Sequence, residues 1–287
     1  MPRPLHVACL QTRPMPDFAS ACDEALRLAE TAAGRGAEFL LLPEYCGGLV
    51  TEGAAIRAPA APEAEHPVVR ALADFAAARG VWVMVGSVAV PGPGGRILNR
   101  GLTLDAQGRI VARYDKLHMF DIRLSETEVY RESASVAPGD RAVLVPTPWG
   151  PVGHTICYDL RFAQLYRSLA QAGAAMLAVP AAFTAKTGAA HWHVLNRARA
   201  IENGAFVLAP CAWGPVPGGG AAYGHSLIVG PWGEVVADAG EGEGVISAVI
   251  DLDAVAEARG RIPSLTHDRP FAPPAAAGPA DREVAAQ

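Results

Sequence analysis

Short apolar runs rich in Val, Ile and Leu recur along this chain, at 5–10, 39–42, 81–90, 152–157, 175–179, 205–209 and 245–252. Their brevity and composition read as buried strands. Between some of them lie segments of helical periodicity. Phe18 to Ala33 has Asp17 as N-cap and Gly34 as a stop, and Val68 to Ala78 is closed by Gly80. Phe162 to Ala172 is closed by Gly173, and Ala190 to Glu202 by Asn203-Gly204. Two hairpin signals stand among them. Asp105-Ala106-Gln107-Gly108 joins Ile97–Leu104 to Ile110–Tyr114, and Gly230-Pro231-Trp232-Gly233 joins Leu227–Val229 to Glu234–Ala237. Strands in this company predict an α/β fold with mixed sheets and covering helices.

Half of the 287 residues are hydrophobic, enough for a sizeable core. No linker divides the chain, so residues 1–270 are expected to form one domain, followed by an Ala- and Pro-rich tail over 271–287. A net charge of −5 without a basic block, and few aromatics, exclude a nucleic-acid surface. No apolar run reaches the roughly 18 residues of a membrane helix, and no long apolar region follows Met1-Pro2-Arg3-Pro4, which excludes an ordinary signal peptide. The five cysteines are irregularly spaced with no CxxC pair, so neither a zinc ribbon nor a thioredoxin site is expected. A reduced, cytoplasmic protein follows as the expectation. Two loop-like inserts, Gly47 to Glu65 and Asp121 to Asp140, are long enough to be functional.

Cys157, in Ile156-Cys157-Tyr158-Asp159-Leu160, stands between an apolar run and a helix-like segment beginning at Arg161. A thiol facing a helix N-terminus is favoured as thiolate, and so as a nucleophile. Such a nucleophile needs a base and an oxyanion partner. Glu44 ends the run Phe39-Leu40-Leu41-Leu42-Pro43, Lys116 follows Ile110 to Tyr114, and Glu132 lies in Tyr130-Arg131-Glu132-Ser133. A poorly solvated carboxylate suits a general base, and an ammonium suits an oxyanion. Taken singly, each is as compatible with a solvated loop residue or, for Cys157, an inert core thiol.

Together they carry a resemblance. Leu41-Leu42-Pro43-Glu44-Tyr45, Tyr114-Asp115-Lys116-Leu117-His118 and Ile156-Cys157-Tyr158-Asp159-Leu160-Arg161-Phe162 resemble the three ordered signatures of the nitrilase superfamily of carbon–nitrogen hydrolases. Gly86-Ser87, Asn99, Arg197-Ala198-Arg199-Ala200-Ile201-Glu202-Asn203 and Tyr223-Gly224-His225-Ser226 match as well, and the likeness runs to about Arg269. The branch resembled is that of the Nit-type amidases, which include omega-amidase and deaminated-glutathione amidase, and Tyr130-Arg131-Glu132-Ser133 and His191-Trp192-His193 look more like the bacterial deaminated-glutathione group. Ala163, Gly230 and the segment Pro210-Cys211-Ala212-Trp213-Gly214 depart from the family pattern, the last in a region that shapes substrate choice.

The resemblance implies a four-layer α-β-β-α sandwich. It also implies a Glu44–Lys116–Cys157 triad with Glu132 as fourth member, the backbone N–H of Tyr158 at the oxyanion, and no cofactor or metal. The implied substrate is a small-molecule amide bearing a carboxylate, for which Arg131, Arg161 and Arg199 are candidate partners. Arg161 is equally a candidate for a salt bridge to Asp159 or Glu202. A homodimer is implied too, with Phe162, Leu165, Tyr166 and Leu169 as its surface or, alternatively, as a core face. Nitrile and N-carbamoyl hydrolysis use the same residues, and an inactive scaffold on the same fold is the alternative of another class.

Histidine chemistry is the mechanistic rival. His154, three residues before Cys157, points to the opposite face of an extended strand and is a poor base. His118 and His225 are candidates for support behind the site. His191 and His193 have a zinc-like spacing, but i and i+2 on a helix do not face each other, and no nearby carboxylate is evident to complete a site.

Overall fold

A computed structural model of the chain describes residues 4–126 and 128–274. Of the expected tail, residues 275–287 lie outside the described residues. Two mixed sheets form the centre. The first has seven strands. Its main path runs Val136–Ala137, Ile97–Leu104, Trp82–Pro91, Phe39–Leu41, Leu5–Gln11 and Gly244–Ile250, with Ile110–Asp115 also paired to Ile97–Leu104. The second has six, in the order Val143–Val145, Val152–His154, Met176–Ala178, Phe206–Ala209, Leu227–Val229 and Val235–Asp238.

The apolar runs are continuous because their strands are covered on both faces. Side chains alternate along each strand. Leu5, Val7, Cys9, Phe39, Leu41 and Met84 pack in the space between the sheets, against Val152, Met176, Ala178, Phe206 and Leu208 of the second sheet. Their neighbours Ala8, Leu10, Leu40, Val83 and Val85 point outward onto helices Phe18–Gly34 and Pro67–Arg79. On the other side Leu177, Val179, Val207 and Ala209 meet helices Ala163–Gln171 and Ala185–Asn203. Three packed interfaces between helix, sheet, sheet and helix make the four-layer α-β-β-α sandwich that the motifs imply.

The local signals act as expected at several ends. Asp17 caps the first helix by accepting the Ser20 N–H at 2.9 Å, and Gly80 closes the second with φ +64°. Both hairpins form. Three expectations are corrected. The strand before Cys157 stops at His154, because Thr155 to Cys157 turn away to pair with Ala178 and Pro180. The fourth helix begins five residues early, at Ala185. A fifth helix, Asp253–Arg261, follows the last strand; its polar composition hid it, since only Val255 and Ala258 are buried.

Candidate active site

Both sheets contribute to one site. Glu44 follows the strand Phe39–Leu41, and Lys116 follows Ile110–Asp115. Glu132 opens a short 3-10 turn between the hairpin Asp121–Arg123/Val129–Arg131 and the strand Val136–Ala137. All three belong to the first sheet or its inserts. Cys157 comes from the second sheet, after Val152–His154. Such strand ends are where open α/β sheets bind ligands.

The four side chains are buried and meet directly. Lys116 Nζ lies 2.9 Å from Glu44 Oε1, and 3.0 and 2.9 Å from Glu132 Oε1 and Oε2. The Cys157 thiol lies beside Glu44, whose carboxylate raises its proton affinity. Glu44 also accepts the Asn99 amide at 2.9 Å and the Ala182 backbone N–H at 2.9 Å. The Phe120 backbone N–H donates to Glu132 Oε2 at 2.6 Å. One ammonium thus serves two carboxylates, whose remaining lone pairs are taken up by fixed donors. Asn99 and the Ala182 and Phe120 amides belong to the site but escape a reading by side-chain chemistry. Asn99 stood only in a matching motif, and a backbone N–H has no sequence signal.

Burial governs the proton affinities. It pushes the Cys157 thiol well above its ordinary range, and the Glu44 carboxylate raises it further. The sulfur therefore rests as a thiol. The short helix-like segment is a 3-10 turn, Cys157–Arg161, and the α-helix starts only at Ala163. The expectation from sequence, a thiol facing an α-helix N-terminus, is therefore not met: the group beside the sulfur is the Glu44 carboxylate. Burial disfavours the Lys116 ammonium, but Glu132 and Glu44 outweigh it and hold the lysine charged. Glu132 is pushed up by burial, against the pull of Lys116.

The backbone around Cys157 is held from behind. Cys157 has φ +48°, uncommon for any residue but glycine, and its N–H donates to Pro180 O at 2.9 Å. Asp159 is the brace of this turn. It accepts the Ile156 N–H at 2.8 Å, the Tyr114 hydroxyl at 2.6 Å and the His118 N–H at 3.1 Å, with the His118 ring at 2.7 Å. His118 also stacks on Phe162 with centroids 3.4 Å apart. It supports the turn without a hydrogen bond to Glu44, Lys116 or Cys157. His154 is packed against Tyr114, and His225 lies away from the pocket, beside Asp238.

A cavity of about 70 Å³ opens onto these groups. Both inserts line it, through Leu49, Thr51 and Ile56 from the first and Tyr130 and Glu132 from the second. Tyr158, Phe183, Thr184 and Thr187 face it from the second sheet and the start of helix Ala185–Asn203. Among the described residues, Lys116 is the one lysine or arginine in this lining. Arg131 is exposed, and its backbone N–H donates to Ala54 O. Arg199 is buried, bonded to Leu160 O at 2.8 Å and to Glu202 at 2.9 Å. Arg161 makes neither expected salt bridge, because Asp159 and Glu202 are already engaged. Its guanidinium lies over the rings of Tyr158 and Phe183, 5.7 and 5.4 Å from their centroids, and contacts His191 at 3.3 Å. Leu165, Tyr166 and Leu169 are buried in the chain's own core, so the core face, not a dimer surface, is their place.

Known proteins resemble this chain in sequence and fold. The family model described as carbon-nitrogen hydrolase matches residues 6–260. The deaminated glutathione amidase of Synechocystis sp. is 37% identical over 270 residues, 92% of this chain and 98% of that protein. Omega-amidase NIT2 of Xenopus tropicalis is 35% identical over 241 residues, 84% of this chain and 86% of that protein. Among solved structures, the C. elegans NitFhit protein superposes with a TM-score of 0.84 at 31% identity. That match covers 93% of this chain but 65% of the larger NitFhit chain. Saccharomyces cerevisiae Nit3, a member of branch 10 of the nitrilase superfamily, gives 0.82 at 28% identity, over 94% and 97% of the two chains. With its fold, its ordered motifs and a match over most of its length, the chain belongs to the carbon–nitrogen hydrolase family.

Proposed function

We propose that this protein hydrolyses a small linear amide to a carboxylic acid and ammonia through a thioester on Cys157. The convergence of Glu44, Lys116, Glu132 and Cys157 at one buried point carries the proposal. Glu44 takes the thiol proton as sulfur attacks the carbonyl carbon. Lys116 and the backbone N–H of Tyr158 hold the oxyanion. Collapse breaks the C–N bond while Glu44 returns the proton to nitrogen, so ammonia leaves and the acyl group stays on sulfur. Glu44 then deprotonates a water that attacks the thioester. The C–S bond breaks, and the proton returns to sulfur. Glu132 fixes Lys116 through two contacts, at 3.0 and 2.9 Å. A buried thiol with a raised proton affinity makes the base indispensable at the moment of attack.

The substrate class follows the relatives: deaminated glutathione or an omega-amide of a 2-oxo acid. The lining hydroxyls of Thr51, Tyr130, Thr184 and Thr187 give such a substrate's polar end hydrogen-bonding partners. Arg161 acts on it indirectly, by holding the Tyr158 and Phe183 rings. Ammonia release is to be measured on deaminated glutathione, 2-oxoglutaramate, 2-oxosuccinamate, N-carbamoyl amino acids and simple nitriles. Turnover is expected on the first three, with an acyl-enzyme that hydroxylamine captures as a hydroxamate. Near-normal turnover by Cys157→Ala would sink the mechanism. Preference for a nitrile would sink the substrate class.

The setting proposed for this reaction is a reducing, cytoplasmic one: the five cysteines are unpaired, and no helix among the described residues is long and apolar enough to cross a membrane. A homodimer is proposed as the working state, and the exposed Val194, Ile201 and Trp232 give it an apolar surface in place of the buried helix face. Size-exclusion chromatography with light scattering decides it, and a monomer at micromolar concentration counts against it.

A further inference from the structure

We propose that His193, His225 and Asp238 form a binding site for one divalent transition-metal ion of the zinc type, away from the catalytic pocket. Three separate elements bring them together: helix Ala185–Asn203, the turn between strands Ala221–Tyr223 and Leu227–Val229, and the end of strand Val235–Asp238. His193 Nε2 lies 2.9 Å from Asp238 Oδ2, and His225 Nδ1 lies 3.0 and 3.2 Å from Oδ1 and Oδ2. One potential ligand atom from each residue falls within 4.8 Å of the other two. A tetrahedral ion with bonds of about 2.0–2.2 Å holds its ligand atoms roughly 3.3–3.5 Å apart. Closing the cluster on an ion therefore takes only small side-chain movements. None of the three residues lines the catalytic cavity.

The surrounding bonds hold the cluster in place. The Trp192 indole N–H donates to His225 O at 2.7 Å, and the His225 N–H donates to Gly240 O at 2.9 Å. The Gly240 N–H donates to Asp238 Oδ1 at 2.8 Å. Tyr223 stacks on the His225 ring with centroids 4.6 Å apart. The two bonds to the His225 backbone fix the turn that carries it, and the Gly240 N–H orients the Asp238 carboxylate, as hydrogen bonds to ligating carboxylates do in metal centres. Two imidazoles and one carboxylate suit zinc, cobalt, nickel or copper, whereas calcium takes six or more oxygens. The side chains keep 23 to 33% exposure, which leaves a coordination position open to water. The H-x-H spacing hid this arrangement. His193 is the ligand, His191 turns to Arg161, and the completing carboxylate is 45 residues away in sequence.

The test uses the full-length chain, stripped of metal and dialysed to equilibrium against Zn²⁺, with bound zinc measured by elemental analysis. A parallel titration with Co²⁺ reads the visible spectrum. One zinc per chain is expected, retained in Cys157→Ala, with affinity falling at least tenfold in His193→Gln and in Asp238→Asn. The cobalt bands should weaken or shift in the same two variants. Ammonia release by those variants shows that they are folded. Less than one zinc per chain in the wild type at micromolar metal would overturn the site. So would undiminished binding when His193→Gln and Asp238→Asn are combined in one chain, or loss of the zinc with Cys157→Ala, which would place the ion on the sulfur of Cys157.

Discussion

Cys157 occupies a backbone conformation that its side chain disfavours. At φ +48° an L-residue pays about 1–2 kcal/mol that glycine does not. Ordinarily glycine is the less stable of glycine and alanine, by about 0.5–1 kcal/mol. Here the order is expected to invert: Cys157→Gly should unfold at higher urea than Cys157→Ala, both without turnover. Equal midpoints, or alanine the higher, would mean that the turn carries no strain. Lys116 presents the electrostatic counterpart. Lys116→Met leaves two buried carboxylates facing each other without a cation, and removing one member of a buried pair typically costs about 3–5 kcal/mol. Loss of turnover with an unchanged urea midpoint would show that Glu44 and Glu132 rearrange or take up protons freely. The four residues that converge here were legible in sequence through the ordered motifs that hold them, since each alone was as compatible with a loop residue or an inert thiol. The strain at Cys157 and the brace at Asp159 were not, since a dihedral angle and a three-donor carboxylate depend on atoms from distant segments.

At the scale of elements, Gly86 lets the site assemble. It sits where the pairing of Trp82–Pro91 with Ile97–Leu104 is interrupted, between Val85 and Val88. A Cβ there would come within 2.0 Å of Leu42 O, 2.4 Å of Pro43 O and 2.6 Å of the Pro180 side chain. The first two belong to the segment that delivers Glu44, the third to the second sheet. Gly86→Ala is therefore expected to cut kcat at least tenfold and to lower the melting temperature by several degrees, as overpacking by 1–3 kcal/mol does. Wild-type kcat in that variant would show that the Glu44 segment shifts without consequence. The short, continuous apolar runs made the strands readable, because both faces of each central strand are covered. The two inserts read only as loops, because their short hairpins at Thr51–Ile56 and Asp121–Arg131 contain too few residues to show a period.

At the scale of the whole molecule, sensitivity to acid comes in part from buried histidines. Burial lowers His154 and His66 to about 4, against 6.5 for the free side chain. The folded chain keeps them neutral, while the unfolded chain takes up protons below pH 6.5. Their contribution is therefore complete above pH 6.5 and is lost as the pH falls towards 4. For His154 the shift corresponds to about 3 kcal/mol. Between pH 7 and pH 4.5, His154→Gln is expected to lose roughly 2–3 kcal/mol less stability than the wild type in urea titrations. Parallel losses in both proteins would mean that His154 titrates freely in the fold.

The sulfur of Cys157 hangs from one sheet, and Glu44 and Lys116 hang from the other, with the middle apolar layer and a few cross-sheet bonds, from Tyr114 and His118 to Asp159 and from Ala182 to Glu44, fixing the gap. The catalytic distance is thus a property of neither half of the sandwich. Slippage of the sheets by a fraction of a bond length would leave every strand and helix intact and still silence the chemistry. Turnover on warming is accordingly a gauge of how firmly the two sheets grip each other, responding before any signal that reports secondary structure.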